Sequence, residues 1–153
     1  MRHTADRVPR ATPHAREQHD TPGEWSLIAL AGPANRQARI AAEVIVGRDS
    51  RFRGTQGTAV VGLFGSTVAW TGANEKTLER PDDSVFEKVY LYPNSHAGYC
   101  PGAKPIAIKV LFRKSDGRVL GVQAVGEDGV DERISELALA IQMGAHRLRP
   151  RGV

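Results

Sequence analysis

Ile106-Ala107-Ile108-Lys109-Val110-Leu111-Phe112-Arg113-Lys114-Ser115-Asp116-Gly117-Arg118-Val119-Leu120-Gly121-Val122-Gln123-Ala124-Val125 is the stretch that decides the fold. Two apolar-rich runs, Ile106 to Arg113 and Arg118 to Val125, flank Ser115-Asp116-Gly117. Asp followed by Gly accepts the positive φ angles that a tight hairpin needs. The reading is two antiparallel strands joined by a short turn.

Outward from that hairpin, Asp131 to Met143 places Ile134, Leu137, Ala138 and Ile141 on one stripe, as an amphipathic helix requires. Upstream, Thr58 to Phe64 reads as a strand with Ser66 to Trp70 as its neighbour across Gly65. Val85 to Tyr92 alternates well enough for a third strand, and Asn74 can cap a short helix, Glu75 to Arg80, with Pro81 beyond it. Further back, the apolar run Leu27 to Leu30 leads through Gly32-Pro33 into a helix from Ala34 to Val46. Pro33 suits a first helical turn, where a missing N–H costs nothing, and Gly47 supplies the stop. Ala34, Ala38, Ala41, Ala42 and Ile45 recur at spacings that put them on one helix face. The expected class is α+β, an antiparallel sheet with helices on one face, preceded by one helix. The order is too rich in hairpins for a parallel nucleotide-binding sheet.

Charge and composition remove several function classes. The last eight residues contribute +3 and the first twenty +1 of the net +4, which leaves residues 21–145 without net charge. Positive charge confined to the tails gives no basic patch for nucleic acid. No apolar run approaches the roughly 20 residues of a membrane helix. One cysteine, Cys100, excludes an internal disulfide framework, and the Arg- and His-dotted start has no apolar core of a secretory signal. The cytoplasm is the expected location. Residues 1–22, with Pro9, Pro13, Pro22 and scattered charge, read as a disordered or foreign tail.

The sequence holds no G-x-G-x-x-G, no phosphate-binding loop ending in Lys-Ser/Thr, no zinc spacing among its histidines and no nucleophile elbow. No complete active site and no metal site is therefore expected. The strongest local feature is the polar, aromatic loop from Tyr90 to Gly102. His96 and Tyr99 can donate hydrogen bonds to a ligand and Lys104 can meet a phosphate. A turn whose aromatics cover a sheet edge accounts for the same residues. Lone Cys100 reads as a small packed residue rather than a redox group. The acids of Glu127-Asp128-Gly129-Val130-Asp131-Glu132 lack the alternation of a calcium loop, and the dipole of the following helix explains them.

Five motifs in order carry a resemblance. They are Leu30-Ala31-Gly32-Pro33-Ala34-Asn35-Arg36-Gln37, Gly54-Thr55-Gln56-Gly57-Thr58-Ala59-Val60, Thr71-Gly72-Ala73-Asn74-Glu75, Pro93-Asn94-Ser95-His96-Ala97-Gly98-Tyr99 and Gly121-Val122-Gln123-Ala124-Val125-Gly126. Over about residues 23–144 the chain resembles the pyridine nucleotide-disulfide oxidoreductases, in their coenzyme A-disulfide reductase and NADH oxidase branch. The resemblance implies that 23–52 is the last piece of a FAD-binding domain and 53–144 a dimerisation domain. Leu30, Ala31, Gly32, Pro33, Ala34 and Asn35 would then lie near the flavin, at a helix N-terminus whose dipole and free N–H groups suit it.

The same resemblance implies that Tyr99 contributes to the thiol-disulfide site across a dimer, with a coenzyme A-type thiol as ligand. Branch members often carry a second Tyr where this chain has Cys100. Family members also continue after the final helix with a Thr-Val-Tyr-Asp-Leu-Glu-Glu string, which codons permitted for residues 146–153 encode one base out of register. Residues 145–153 are therefore expected to be an aberrant, frameshifted tail. The family uses FAD and NAD(P)H. This chain, without the FAD fingerprint, the redox cysteines or the NAD(P)H domain, is expected to bind neither and to be inactive alone. Its partner would be a second copy or a full-length homologue. A stand-alone binding module and an enzyme completed in trans are the competing readings.

Overall fold

The structure of the protein, a computed structural model, describes residues 14–16, 25–79 and 86–146. The chain divides into two compact units, one ending at Thr55 and one beginning at Gln56.

In the first unit, strand β1 (His14–Arg16) pairs antiparallel with β2 (Trp25–Leu27). A paired strand thus stands inside the stretch expected to lack order; most of residues 1–22 lies outside the described residues. Helix α1 (Ala31–Ile45) begins three residues earlier than expected, with Pro33 inside its first turn. Its end is a Schellman stop. Gly47 has φ +85 and donates to the Val44 carbonyl, and the Arg48 N–H reaches back to Glu43. The buried face of α1 is not the expected alanine stripe. Gln37, Ile40 and Ala41 are buried, whereas Ala34, Ala38, Ala42 and Ile45 are exposed. Small side chains gain little from burial, so the larger Ile40 decides which face turns inward.

The second unit is a five-stranded, wholly antiparallel sheet with helices, the α+β class expected. Its strands are β3 (Ala59–Leu63), β4 (Ser66–Gly72), β5 (Phe86–Leu91), β6 (Ile106–Arg113) and β7 (Val119–Gly126), in the order β3-β4-β7-β6-β5. Between them, α2 (Glu75–Leu78) is a single turn capped as expected, with Asn74 Oδ1 accepting from the Thr77 N–H at 2.9 Å. The helix ends at Leu78 with Glu79 as its C-cap, short of the expected Arg80, which with the expected start of β5 at Val85 lies outside the described residues. Asp116 organises the β6–β7 turn: its carboxylate accepts from the Arg118 N–H at 3.0 Å and pairs with Arg113 at 3.0 Å. That N–H first, and then the Arg113 guanidinium, hold the Asp116 carboxyl below its ordinary value.

Helix α3 (Val130–Gln142) packs on β4 and β7. Its buried Val130, Ile134 and Ile141 meet Ala69, Ile106, Ile108, Val122 and Ala124, with Leu137 half-buried alongside. The stripe expected from the sequence is thus the one that closes this core. Ala69, Ala124 and Ile108 stand side by side across three strands, which fixes the face that α3 covers. On the other face, α2 seats Leu78 against Leu111 and Ala73, a smaller cluster at one end of the sheet. The register between β6 and β7 shifts here, Leu111 facing Gly121 and Phe112 facing Val119, so the extra residue of the bulge is Leu120 in β7.

Candidate functional site

Three groups of residues in this fold can meet another molecule: the first turn of α1, the loop between β5 and β6, and the sheet face opposite α3. In the first, Leu30 has extended backbone and starts α1 with no side-chain cap, and the first turn holds no acid. The first helical bond runs from the Ala34 N–H to the Leu30 carbonyl, 3.2 Å. Pro33 has no N–H, so Ala31 and Gly32 present the leading donors of the helix, and both are exposed. A Cβ placed on Gly32 would meet nothing within 4 Å. Gln37, one turn on, is buried with its Oε1 lacking a protein donor. Positive dipole, no competing carboxylate and small residues fit an anionic group such as the phosphates of a flavin cofactor.

The β5–β6 loop is more ordered than its composition suggests. The Ile106 N–H donates to Pro93 at 2.8 Å and the Ser95 N–H to Lys104 at 2.7 Å, so the ladder runs on past the strand ends. Ser95 Oγ accepts from the Lys104 N–H at 3.1 Å. His96 sits between Ser95 Oγ, 3.2 Å from Nδ1, and the Pro101 carbonyl, 3.3 Å from Nε2. A neutral ring protonated on Nε2 satisfies both contacts, donating to Pro101 and accepting from Ser95. His96 therefore braces the loop from within. The Lys104 ammonium lies 3.3 Å from Glu127, which draws the loop toward the start of α3. A Cβ on Gly129 would press on Ser95 at 3.2 Å, so the loop rests against that glycine.

Of the three expected binding residues, Tyr99 alone stands clear of the fold, 91% exposed. Cys100 is exposed beside it, which corrects its reading as a packed residue. It ends a turn closed by its own N–H on the Ala97 carbonyl, 2.9 Å, where the chain reverses beyond the sheet. The α1 residues and the loop residues belong to different units.

The sheet face opposite α3 was not legible as a site from local sequence. Pairing sets Ala59, Trp70, Gln123, Lys109 and Tyr90 in one row across all five strands. A second row holds Val61, Val68, Val125 and Ala107. Val61, Leu63, Trp70 and Val125 are 45%, 53%, 36% and 46% exposed, so this half of the face is apolar and open to solvent. At the β5–β6 end the character changes. Glu75 Oε1 accepts from Lys109 at 2.7 Å and Oε2 from Lys88 at 2.8 Å. The Lys109 ammonium first, then that of Lys88, hold the Glu75 carboxyl below its ordinary value, and Glu75 in turn raises Lys88. An apolar centre beside a charged margin is the anatomy of a protein interface.

Among the described residues no group of three or more His, Cys, Asp or Glu side chains could hold a metal ion. No helix among them is long and apolar enough to cross a membrane.

Comparison with known proteins bears on these surfaces. The family model for the pyridine nucleotide-disulphide oxidoreductase dimerisation domain matches residues 58–147. A coenzyme A disulfide reductase of Staphylococcus aureus is 36% identical over 115 residues, 74% of this chain and 26% of the relative. One of Staphylococcus epidermidis is 34% identical over 119 residues, 77% of this chain and 26% of the relative. The chain thus spans about a quarter of the length of the curated relatives it matches. Reduced Bacillus anthracis CoADR-RHD is similar in structure with a TM-score of 0.77 and 45% identity, over 82% of this chain and 22% of that one. An NAD-dependent persulfide reductase from A. fulgidus gives a TM-score of 0.77 and 32% identity, over 81% and 23%.

Proposed function

Because this chain belongs to the pyridine nucleotide-disulphide oxidoreductase family and carries its dimerisation domain, we propose that it acts as a self-associating module of a coenzyme A-disulfide reductase-like enzyme, without turnover of its own. The observation that carries this reading is the uncovered apolar face formed by Val61, Val68, Trp70 and Val125. The opposite face of the same sheet is closed by α3, whereas among the described residues α2 covers only the far end of this one. Contiguous apolar surface of this kind marks an interaction site in a folded protein. A second copy presents the same face to itself, as a two-fold dimer requires.

The remaining parts of the site take their roles from this arrangement. Residues 23–52 supply the end of a FAD-binding domain and 53–144 the dimerisation domain. Leu30 to Asn35 approach the flavin, with the N–H groups of Ala31 and Gly32 facing its negative charge. The flavin, when held by a complete enzyme, carries the electron transfer between NAD(P)H and a disulfide. Tyr99 reaches toward the thiol site of the partner subunit, positioned by the loop that His96 and Ser95 brace. Its hydroxyl can donate to a thiolate or disulfide of coenzyme A type. The setting is the cytoplasm.

Sedimentation velocity across a concentration series, with a parallel FAD titration, tests the proposal. A concentration-dependent dimer that leaves flavin fluorescence unquenched supports it. A monomer up to the solubility limit contradicts the self-association, and a yellow protein with bound flavin contradicts the inactivity.

A further inference from the structure

Two peptide bonds of this chain join aspartate to glycine, Asp116-Gly117 and Asp128-Gly129. Glycine has no Cβ to hinder its amide nitrogen, which can therefore attack the Cγ of the preceding aspartate. An N–Cγ bond forms, a Cγ–O bond breaks, and the carboxyl OH leaves as water with the amide proton. Water then opens the cyclic imide at either carbonyl. One route restores aspartate, and the other leaves isoaspartate, with the main chain running through the former side chain. The sequence of steps needs water and no other reactant. It does need a glycine N–H that is not already held and a carboxyl group free to turn and take up a proton.

The fold withholds both from Asp116. The Gly117 N–H donates to the Arg113 carbonyl at 2.8 Å. The Asp116 carboxylate accepts from the Arg118 N–H and from the Arg113 guanidinium, each at 3.0 Å, and these contacts keep it ionised.

Asp128 has neither restraint. Its side chain is exposed and makes no hydrogen bond or ion pair among the described residues. Gly129 is the N-cap of α3, and its carbonyl accepts from the Arg133 N–H at 3.4 Å. Its own N–H lies ahead of the first helical bond and meets no acceptor among the described residues. The glycine itself is fixed by the fold. Its φ is +70, and a Cβ there would stand 3.2 Å from Ser95.

We propose that Asp128-Gly129 is a site of spontaneous isoaspartate formation, and that the product releases the Tyr99 loop from the start of α3. Isoaspartate adds a methylene to the main chain directly before Gly129, the residue on which Ser95 rests. Glu127, on the other side of Asp128, pairs with Lys104 at 3.3 Å. The reacting bond thus lies between two contacts that seat the loop. Ser95 and Lys104 also exchange the hydrogen bonds that close the loop upon itself. The chemistry stands apart from the dimerising reading above, and only the importance of Tyr99 rests on it.

The full chain is incubated folded and, in parallel, unfolded in urea, then digested, and isoaspartate is read in each peptide by enzymatic methyl transfer. In the folded chain, isoaspartate should accumulate several-fold faster at Asp128 than at Asp116. In urea the two rates should converge, because the restraints on Asp116 are gone. A folded chain in which Asp116 reacts as fast overturns the proposed site. So does a urea sample with the same ratio as the folded one, since sequence and not fold would then set the difference. The isoaspartate form, separated by chromatography, should show faster amide hydrogen exchange at Ser95 and Lys104 than the fresh chain. Asp128→Ser incubated in the same way should keep its protection there. Unchanged protection in the isoaspartate form, or an equal loss in Asp128→Ser, overturns the release of the loop.

Discussion

Replacing Gly121 by alanine probes how the two halves of the sheet are held. Gly121 pairs with Gly72 on one side and Leu111 on the other, and the chain leaving β4 passes directly over it. A Cβ built there falls on the backbone carbonyl oxygen and nitrogen of Ala73, with no flexible side chain available to yield. The contact can be relieved by moving Ala73 away from β7. That movement breaks the Ala73 N–H bond to the Leu120 carbonyl, 2.9 Å, and the Gln123 side-chain bond to the Ala73 carbonyl, 3.0 Å. Overpacking costs about 1–3 kcal/mol and the two hydrogen bonds about 1 kcal/mol each, for a total of about 3–5 kcal/mol. The alanine stiffens the unfolded chain and offsets about 0.4–1 kcal/mol of that. The net loss is about 2–5 kcal/mol, a large part of the roughly 5–15 kcal/mol that holds a domain folded. Urea unfolding followed by tryptophan fluorescence reads it, with a clearly lower midpoint and an unchanged slope. A variant within about 0.5 kcal/mol of the wild type, the range of an inert surface substitution, would refute the close approach of Ala73 to β7.

The other stability predictions concern α3 and Glu75. Ile134 is fully buried where α3 meets β4 and β7, so Ile134→Ala should cost about 2–5 kcal/mol in the same urea assay; a loss under about 1 kcal/mol would mean that α3 does not close the core. Glu75 has a carboxyl pKa lowered by Lys109 and Lys88, so its contribution is present above the unfolded carboxylate value of about 4.3 and is lost as pH falls through the lower folded value. Urea midpoints on descending pH should therefore fall less steeply in Glu75→Gln than in the wild type within the acid window, and an identical acid limb would show that the lysines do not hold this carboxylate.

The parts of the fold legible in sequence are those whose physics is local. Ser115-Asp116-Gly117 announced its hairpin because the turn's angles depend on a few adjacent residues. Asn74 announced its cap for the same reason, and the spacing of Ile134, Leu137 and Ile141 gave the buried face of α3. Legibility failed where residues distant in sequence decide. Spacing alone chose an alanine face for α1, whereas Gln37 and Ile40 turn inward. The bulge at Leu120, where Phe112 pairs with Val119 and Leu111 with Gly121, is one that no alternation rule locates. Phe64 broke the turn chemistry its position asks for, and so its strained turn did not show in the sequence. In the candidate site, the ordered motifs pointed to the β5–β6 loop and to Leu30 through Asn35. They gave no sign that His96 is bonded within its loop, or that Glu75 gathers lysines 13 and 34 residues away.

The central claim is that the open sheet face joins two copies, and one residue at its middle tests it most directly. Val125 lies beside Val68 and Ala107, exposed in the single chain and free of any role in the α3 core. Val125→Asp leaves the folded monomer almost untouched but would bury an unpaired carboxylate in a dimer formed through this face, at a cost of several kcal/mol. Sedimentation equilibrium of wild type and variant at matched concentrations should give a dimer and a folded monomer. A variant that stays dimeric with the wild-type dissociation constant would place the association elsewhere and contradict the account.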